Sequence, residues 1–104
     1  MNQTSFTLPT AQLAEFCQRW QIAEMSLFGS ALRADFRSDS DVDLLVSFAP
    51  EAQWSLLDHV RMQEELGALL GRRVDLVNKR AIVRSNNWLR RQTILESAEV
   101  IYAA

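Results

Sequence analysis

The sequence holds one cysteine and one histidine, and only three glycines and two prolines, among 104 residues. The lone cysteine, Cys17, excludes an internal disulfide and suits a reducing cytosol. A single histidine, His59, with no second cysteine leaves no set of ligands at zinc spacing. No apolar run approaches the roughly 20 residues of a membrane span, and the N-terminus lacks a basic stretch followed by an apolar core. The expected compartment is therefore the cytoplasm. Internal repeats and low-complexity segments are also missing. So is an excess of positive charge: 11 Lys and Arg stand against 13 Asp and Glu, net −2, which argues against nucleic acid as the main partner.

What is present is a 48% hydrophobic chain, enough for one compact domain over residues 1–104 with residues 1–8 as a frayed end. Leu13, Phe16, Cys17 and Trp20 recur at helical spacing and predict a helix from Thr10 to Trp20. Cys17 lies on that stripe and reads as core packing. Gln21 to Glu24 reads as a turn, and Met25 to Phe28 as the first strand. Ala31 to Ala34 reads as a short helix and Val42 to Phe48 as a buried strand. Ser55 is placed to cap a helix running to Leu70, with Leu56, Leu57, Val60, Leu66, Leu69 and Leu70 as its core face. His59 lies on it with no partner motif and reads as structural. Gly71 ends the helix, and Arg73 to Val77 is a third strand. From Ala81 onward the chain reads helical as far as Ile101, with Asn86-Asn87 as a possible interruption. Trp88 and Tyr102 suit either core or an interface. This order predicts an α/β (α+β) domain with a small mixed sheet and helices packed on it.

The chemistry concentrates in Leu27-Phe28-Gly29-Ser30 and Asp41-Val42-Asp43. Gly29 and Ser30 stand where a strand turns into a helix, so backbone N–H groups point outward and favour an anion. Gly29 permits the turn and a close approach by phosphate, and the Ser30 hydroxyl can donate to a phosphate oxygen. Arg33, one helical turn after Ser30, reads either as a further phosphate contact or as a surface arginine. Arg37 is less well placed, and Asp35 and Asp39 read as loop residues. Asp41 and Asp43 are two residues apart at the start of a strand, so both carboxylates fall on one face. Their mutual repulsion is ordinarily relieved by Mg²⁺. Asp75, flanked by hydrophobic residues in the third strand, supplies a third carboxylate. Together they point to metal-assisted phosphoryl or nucleotidyl transfer.

Gly29-Ser30, a ten-residue gap, Asp41-x-Asp43 and the later Asp75 resemble the polymerase-beta-like nucleotidyltransferase superfamily. At about 5–7% usage per residue type, four fixed positions match by chance at about 10⁻⁵ per start. The phrase Leu27-Phe28-Gly29-Ser30-Ala31-Leu32-Arg33 and the short chain are most similar to the minimal nucleotidyltransferases (MNT) encoded beside HEPN proteins. The resemblance implies an antitoxin that transfers AMP from ATP to a tyrosine hydroxyl of a HEPN ribonuclease toxin. In that reading Asp41, Asp43 and Asp75 are catalytic and bind Mg²⁺, with two ions expected, while Gly29, Ser30 and Arg33 hold the nucleotide. The alternative is an antitoxin that neutralises the HEPN toxin by binding alone.

Overall fold

The computed structural model describes residues 8–29 and 41–104. Helix α1 (Thr10–Arg19) forms because Leu13, Phe16 and Cys17 recur at three- and four-residue steps, and all three are buried. Burial pushes the Cys17 thiol up to about 12, so this cysteine is packing and not a nucleophile at neutral pH. Trp20 closes the helix, and Gln21, at φ 56°, turns the chain. Strand β1 (Ile22–Phe28) then begins at once. The turn expected over Gln21 to Glu24 is thus confined to Gln21. Ile22 is buried, and Glu24 is tolerated within the strand because its carboxylate lies 3.6 Å from the Lys79 ammonium.

Strand β2 (Val42–Phe48) pairs antiparallel with β1. Helix α2 (Leu56–Leu70) carries the chain to β3 (Val74–Asn78), which lies parallel to β2. The ends of α2 follow from its sequence. Ser55 Oγ accepts from the Asp58 N–H while Asp58 Oδ2 accepts from the Ser55 N–H, a reciprocal cap that holds the Asp58 carboxyl below its usual range. Gly71, at φ 65°, terminates the helix in the left-handed region.

The core face of α2 differs from the expected one. Met62 and Leu66 are buried, whereas Leu56, Leu57 and Val60 are 81%, 60% and 42% exposed. Met62, Leu66 and Leu69 repeat at four- and three-residue steps, and that row continues backward through His59 to Ser55. Leu57 and Val60 lie on the far side. His59 Nε2 is 2.7 Å from the Leu76 carbonyl and so must donate to it, and Gln63 Oε1 accepts from the Leu76 N–H at 2.9 Å. The outer edge of β3 is thereby closed by α2 at Leu76, and His59 is structural.

The helix expected from Ala81 to Ile101 resolves into three elements: α3 (Lys79–Val83), α4 (Trp88–Ser97) and β4 (Glu99–Ala103). Asn87 caps α4 by accepting from the Arg90 N–H, so the Asn86-Asn87 break is real. The last segment is strand because it pairs antiparallel with β1, giving the sheet order β3-β2-β1-β4.

Alternation along the strands gives the sheet two unlike faces. One carries the main core, where Phe16, Met25, Leu27, Leu44, Met62 and Leu66 pack beneath α1 and α2. The other carries a smaller cluster of Phe28, Leu45, Ile82 and Ile94 beneath α3 and α4. No helix among the described residues is long and apolar enough to cross a membrane.

Candidate active site

Strand directions, not sequence proximity, assemble the site. Because β1 and β2 are antiparallel, the end of β1 lies beside the start of β2; because β2 and β3 are parallel, the start of β3 lies at that same end. Phe28 pairs with Asp43, and Asp43 pairs with Asp75. Directly paired residues share a face. Asp43 and Asp75 therefore stand side by side on the face that carries Phe28 and Leu45.

Asp41 lies two residues before Asp43 and Arg73 two before Asp75, which brings both to the same face. Arg73 Nε lies 3.9 Å from Asp41 Oδ1, with the two side chains 85% and 48% exposed. The Val42 N–H donates to the Arg73 carbonyl at 2.9 Å, fixing the two strands at this level. The result is a two-by-two block: Asp41 against Arg73, then Asp43 against Asp75. Period two counted back from Asp75 was the sequence signal that could have added Arg73 to the site.

Gly29 follows β1 directly and takes φ 74°. A Cβ at this position would lie 3.2 Å from the Asp43 Cγ and closer still to its carboxylate oxygen. The backbone of residue 29 is therefore pressed against the Asp43 carboxylate, and only glycine leaves the approach open. Of the six residues expected in the site, Gly29, Asp41, Asp43 and Asp75 fall at one end of the sheet. Ser30 and Arg33 lie outside the described residues, as do Asp35, Arg37, Asp39 and the helix expected over 31–34.

The donor set is all oxygen, half-buried at Asp43 and exposed at Asp41 and Asp75. Among the described residues no three acidic, histidine or cysteine side chains form a ready-made metal cage. All-oxygen donors are the chemistry that suits Mg²⁺, which is held by one or two carboxylates together with substrate phosphates and water. Asp41, Asp43 and Asp75, the three carboxylates expected as ligands, share this face. A cleft of about 540 Å³ between Phe48, Pro50, Trp54, Asn78 and Arg80 lies at the opposite end of β2 and β3, away from these carboxylates.

Comparison with known proteins agrees with this geometry. Residues 11–101 match the family described as "Nucleotidyltransferase domain". The chain is 45% identical over 73 residues to protein adenylyltransferase MntA of Thermococcus cleftensis, covering 70% of this chain and 72% of that protein. Its fold is similar to that of a toxin–antitoxin crystal structure with AMP-PNP, at TM-score 0.72 and 19% identity, covering 93% of this chain and 75% of the other. It is also similar to a structure from Shewanella oneidensis of a tri-AMPylated HEPN toxin in complex with its MNT antitoxin. There the TM-score is 0.61 and the identity 18%, over 91% of this chain and 70% of that one. With the family pattern spanning nearly the whole sequence and the glycine and carboxylates gathered at one end of the sheet, the chain belongs to the nucleotidyltransferase domain family.

Proposed function

We propose that this protein is the antitoxin of a HEPN/MNT pair and moves AMP from ATP to a tyrosine hydroxyl of its HEPN ribonuclease toxin. The observation that carries the reading is the pair Asp43 and Asp75 on adjoining strands, with Gly29, just past the end of β1, against Asp43 and Asp41 beside it on the same face. A glycine backbone open to phosphate next to three carboxylates is the arrangement that nucleotidyl transfer needs. The similarity to a protein named for protein adenylylation, and to the fold of an antitoxin bound to an AMPylated toxin, supports the same chemistry.

Each residue then has a role. Gly29 lets the triphosphate lie against the backbone, and Ser30 and Arg33 contribute a hydroxyl and a cation on the phosphate side. Asp41 and Asp43, with Asp75 sharing, would hold two Mg²⁺ ions, which would neutralise the triphosphate and the departing pyrophosphate. Asp75 accepts the proton from the tyrosine hydroxyl as its oxygen attacks the α-phosphorus. The new O–P bond forms, the bond from the α-phosphorus to the bridging oxygen breaks, and pyrophosphate leaves with that oxygen. Positioning and charge provide most of the acceleration. AMP on the toxin then blocks ribonuclease action.

The sheet with helices on both faces supports reading residues 1–104 as one minimal domain. A compartment without disulfides, the cytoplasm, fits the single buried cysteine.

The test is the intact mass of the HEPN protein after incubation with this chain, ATP and Mg²⁺, against an Asp41→Ala/Asp43→Ala variant. A gain of AMP units that disappears in the variant establishes the transfer, and peptide mapping finds the acceptor. Unchanged mass with stable binding and lost toxicity points to the second reading, neutralisation by contact. That reading draws support from the apolar surface left exposed on α4.

A further inference from the structure

The sheet order gives the candidate site a phosphate side and an opposite side. Gly29, just past the end of β1, lies against the Asp43 carboxylate, and Asp75 stands beside Asp43 on β3. Strand β2 lies between β1 and β3, and neighbouring strands are about 4.8 Å apart. Gly29 and the β3 side chains therefore flank Asp43 at about 10 Å from one another. An in-line displacement puts the attacking oxygen and the leaving group on opposite sides of the phosphorus. With the triphosphate against Gly29, the attacking hydroxyl comes in over the start of β3.

The cation on that part of β3 is Arg73. It lies two residues before Asp75 on the same face, about 6.6 Å nearer the end of the sheet. Its backbone is anchored, because its carbonyl accepts from the Val42 N–H at 2.9 Å and the next residue, Val74, is buried. Its head group is held far less firmly. The side chain is 85% exposed, and its carboxylate contact among the described residues is Asp41, at 3.9 Å from Nε, too long for a hydrogen bond. An exposed pair of this kind contributes little to folding, and the Val42 N–H already fixes the two strands at this level.

Asp41 is also a partner that Arg73 loses. Once Asp41 is committed to Mg²⁺, the guanidinium is released at the mouth of the site, beside the place where the acceptor hydroxyl stands. A guanidinium presents its N–H donors as a planar fork that matches an oxyanion, and a carboxylate in particular. The phosphates of the nucleotide lie across Asp43, on the Gly29 side. The oxyanion within reach of Arg73 is then one that the acceptor brings with it.

We infer that Arg73 binds the acceptor protein, taking up a carboxylate beside the reacting hydroxyl once Asp41 has let it go. This deepens the antitoxin reading and rests on it, with the HEPN protein as the acceptor. The test has two readouts on the full chain. In steady-state transfer at saturating ATP and Mg²⁺, Arg73→Ala is expected to raise the KM for the HEPN protein about five- to tenfold, with kcat and the KM for ATP within about twofold of the wild type. Arg73→Glu should raise it further, and Arg73→Lys should recover part of the loss. In calorimetric titration, the wild type should bind the HEPN protein several-fold more tightly with Mg²⁺ and a non-hydrolysable ATP analogue than without them, and Arg73→Ala should lose that gain. All three variants should keep the wild-type melting temperature, since the side chain is exposed and the strand is held by its backbone. A fall in kcat with the acceptor KM unchanged would put the guanidinium on the reacting phosphoryl group, and a rise in the KM for ATP alone would put it on the triphosphate. No change in any constant would leave it a solvated surface arginine. Each of these three results overturns the inference while the antitoxin reading stands, because the wild type still transfers AMP. A wild type that transfers nothing to the HEPN protein sinks the transfer reading and this inference with it.

Discussion

The Cα of Gly29 faces the Asp43 carboxylate so closely that an added methyl group would stand 3.2 Å from the Asp43 Cγ and nearer to its oxygen. The φ of 74° at Gly29 is independently unfavourable for any residue with a Cβ. In Gly29→Ala the two penalties act together, and relief comes by pushing Asp43 aside. We expect a loss of about 1–2 kcal/mol in folding stability from the left-handed backbone. AMP transfer should fall further, by about 100-fold or more, because a carboxylate displaced by an ångström no longer serves the reaction. Urea unfolding and single-turnover transfer check the two effects separately.

Asp43 and Asp75 are register partners on one face. Like charges directly opposed on neighbouring strands destabilise a sheet. Asp75→Asn should therefore stabilise the metal-free protein by about 0.2–1 kcal/mol while removing the proton acceptor and with it the transfer. Added Mg²⁺ should raise the melting temperature of the wild type more than that of the variant. A variant that is both less stable and fully active would contradict the role given to Asp75.

Arg73 lies 3.9 Å from Asp41 and is mostly exposed, so the pair is weak. Its guanidinium nevertheless occupies the surroundings of a carboxylate expected to meet a cation. Arg73→Gln should lower the Mg²⁺ concentration needed for half-saturation by roughly two- to fivefold, the equivalent of a surface pair worth about 0.5–1 kcal/mol. Titration of metal binding by calorimetry, with nucleotide absent, reads this directly.

How much of this could be read in the sequence depended on what fixed each feature. That Gly29, Asp41, Asp43 and Asp75 meet at one end of the sheet was legible from the spacing of the first three and from the conspicuous charge of Asp75 in a short apolar strand. Strand β4 was not legible. Ile94, Leu95, Ala98 and Ile101 keep helical spacing, and only pairing with β1 makes Glu99–Ala103 a strand. The β-branched and aromatic run Val100-Ile101-Tyr102 was the local signal for it. Leu56, Leu57 and Val60 misled for a different reason: they are apolar yet exposed, and a rule that assigns apolar residues to the core cannot anticipate a surface left uncovered. The α2 face was decided instead by the row through Met62 and Leu66.

Two carboxylates contribute to the acid response of the fold. Asp58 is held low first by the Ser55 backbone N–H and then by its hydroxyl, and Glu65 first by Arg19 and then by the Trp20 indole N–H, each opposed by desolvation. A carboxyl lowered in the folded state contributes stability that is fully present above its unfolded value, about 4, and is lost as pH falls through the folded value. The melting temperature should therefore drop on acidification below about pH 4. In Glu65→Gln, and in Ser55→Ala where the hydroxyl of the cap is gone, that drop should be shallower. Melting curves between pH 2.5 and 7, chosen as about the range that spans both states, test the sign.

The contact of α2 with β3 yields the last expectation. Leu76 turns its N–H to Gln63 and its carbonyl to His59, so both polar groups on the open edge of the sheet are satisfied by side chains. An exposed strand edge is a template for pairing with another chain, and this closure removes it at Leu76. Gln63→Leu deletes the acceptor while keeping the bulk, and leaves a half-buried N–H with no partner. The expected cost is about 1–2 kcal/mol, since an unsatisfied donor loses more than the hydrogen bond itself was worth. Hydrogen exchange at the Leu76 amide should accelerate by about the same free energy, roughly 10-fold or more, with little change at Met25 and Leu27 in the middle of the sheet. Because β3 also carries Asp75, looser pairing at Leu76 should reduce transfer without abolishing it. Exchange that stays slow at Leu76 in the variant would show that β2 alone holds this strand in place.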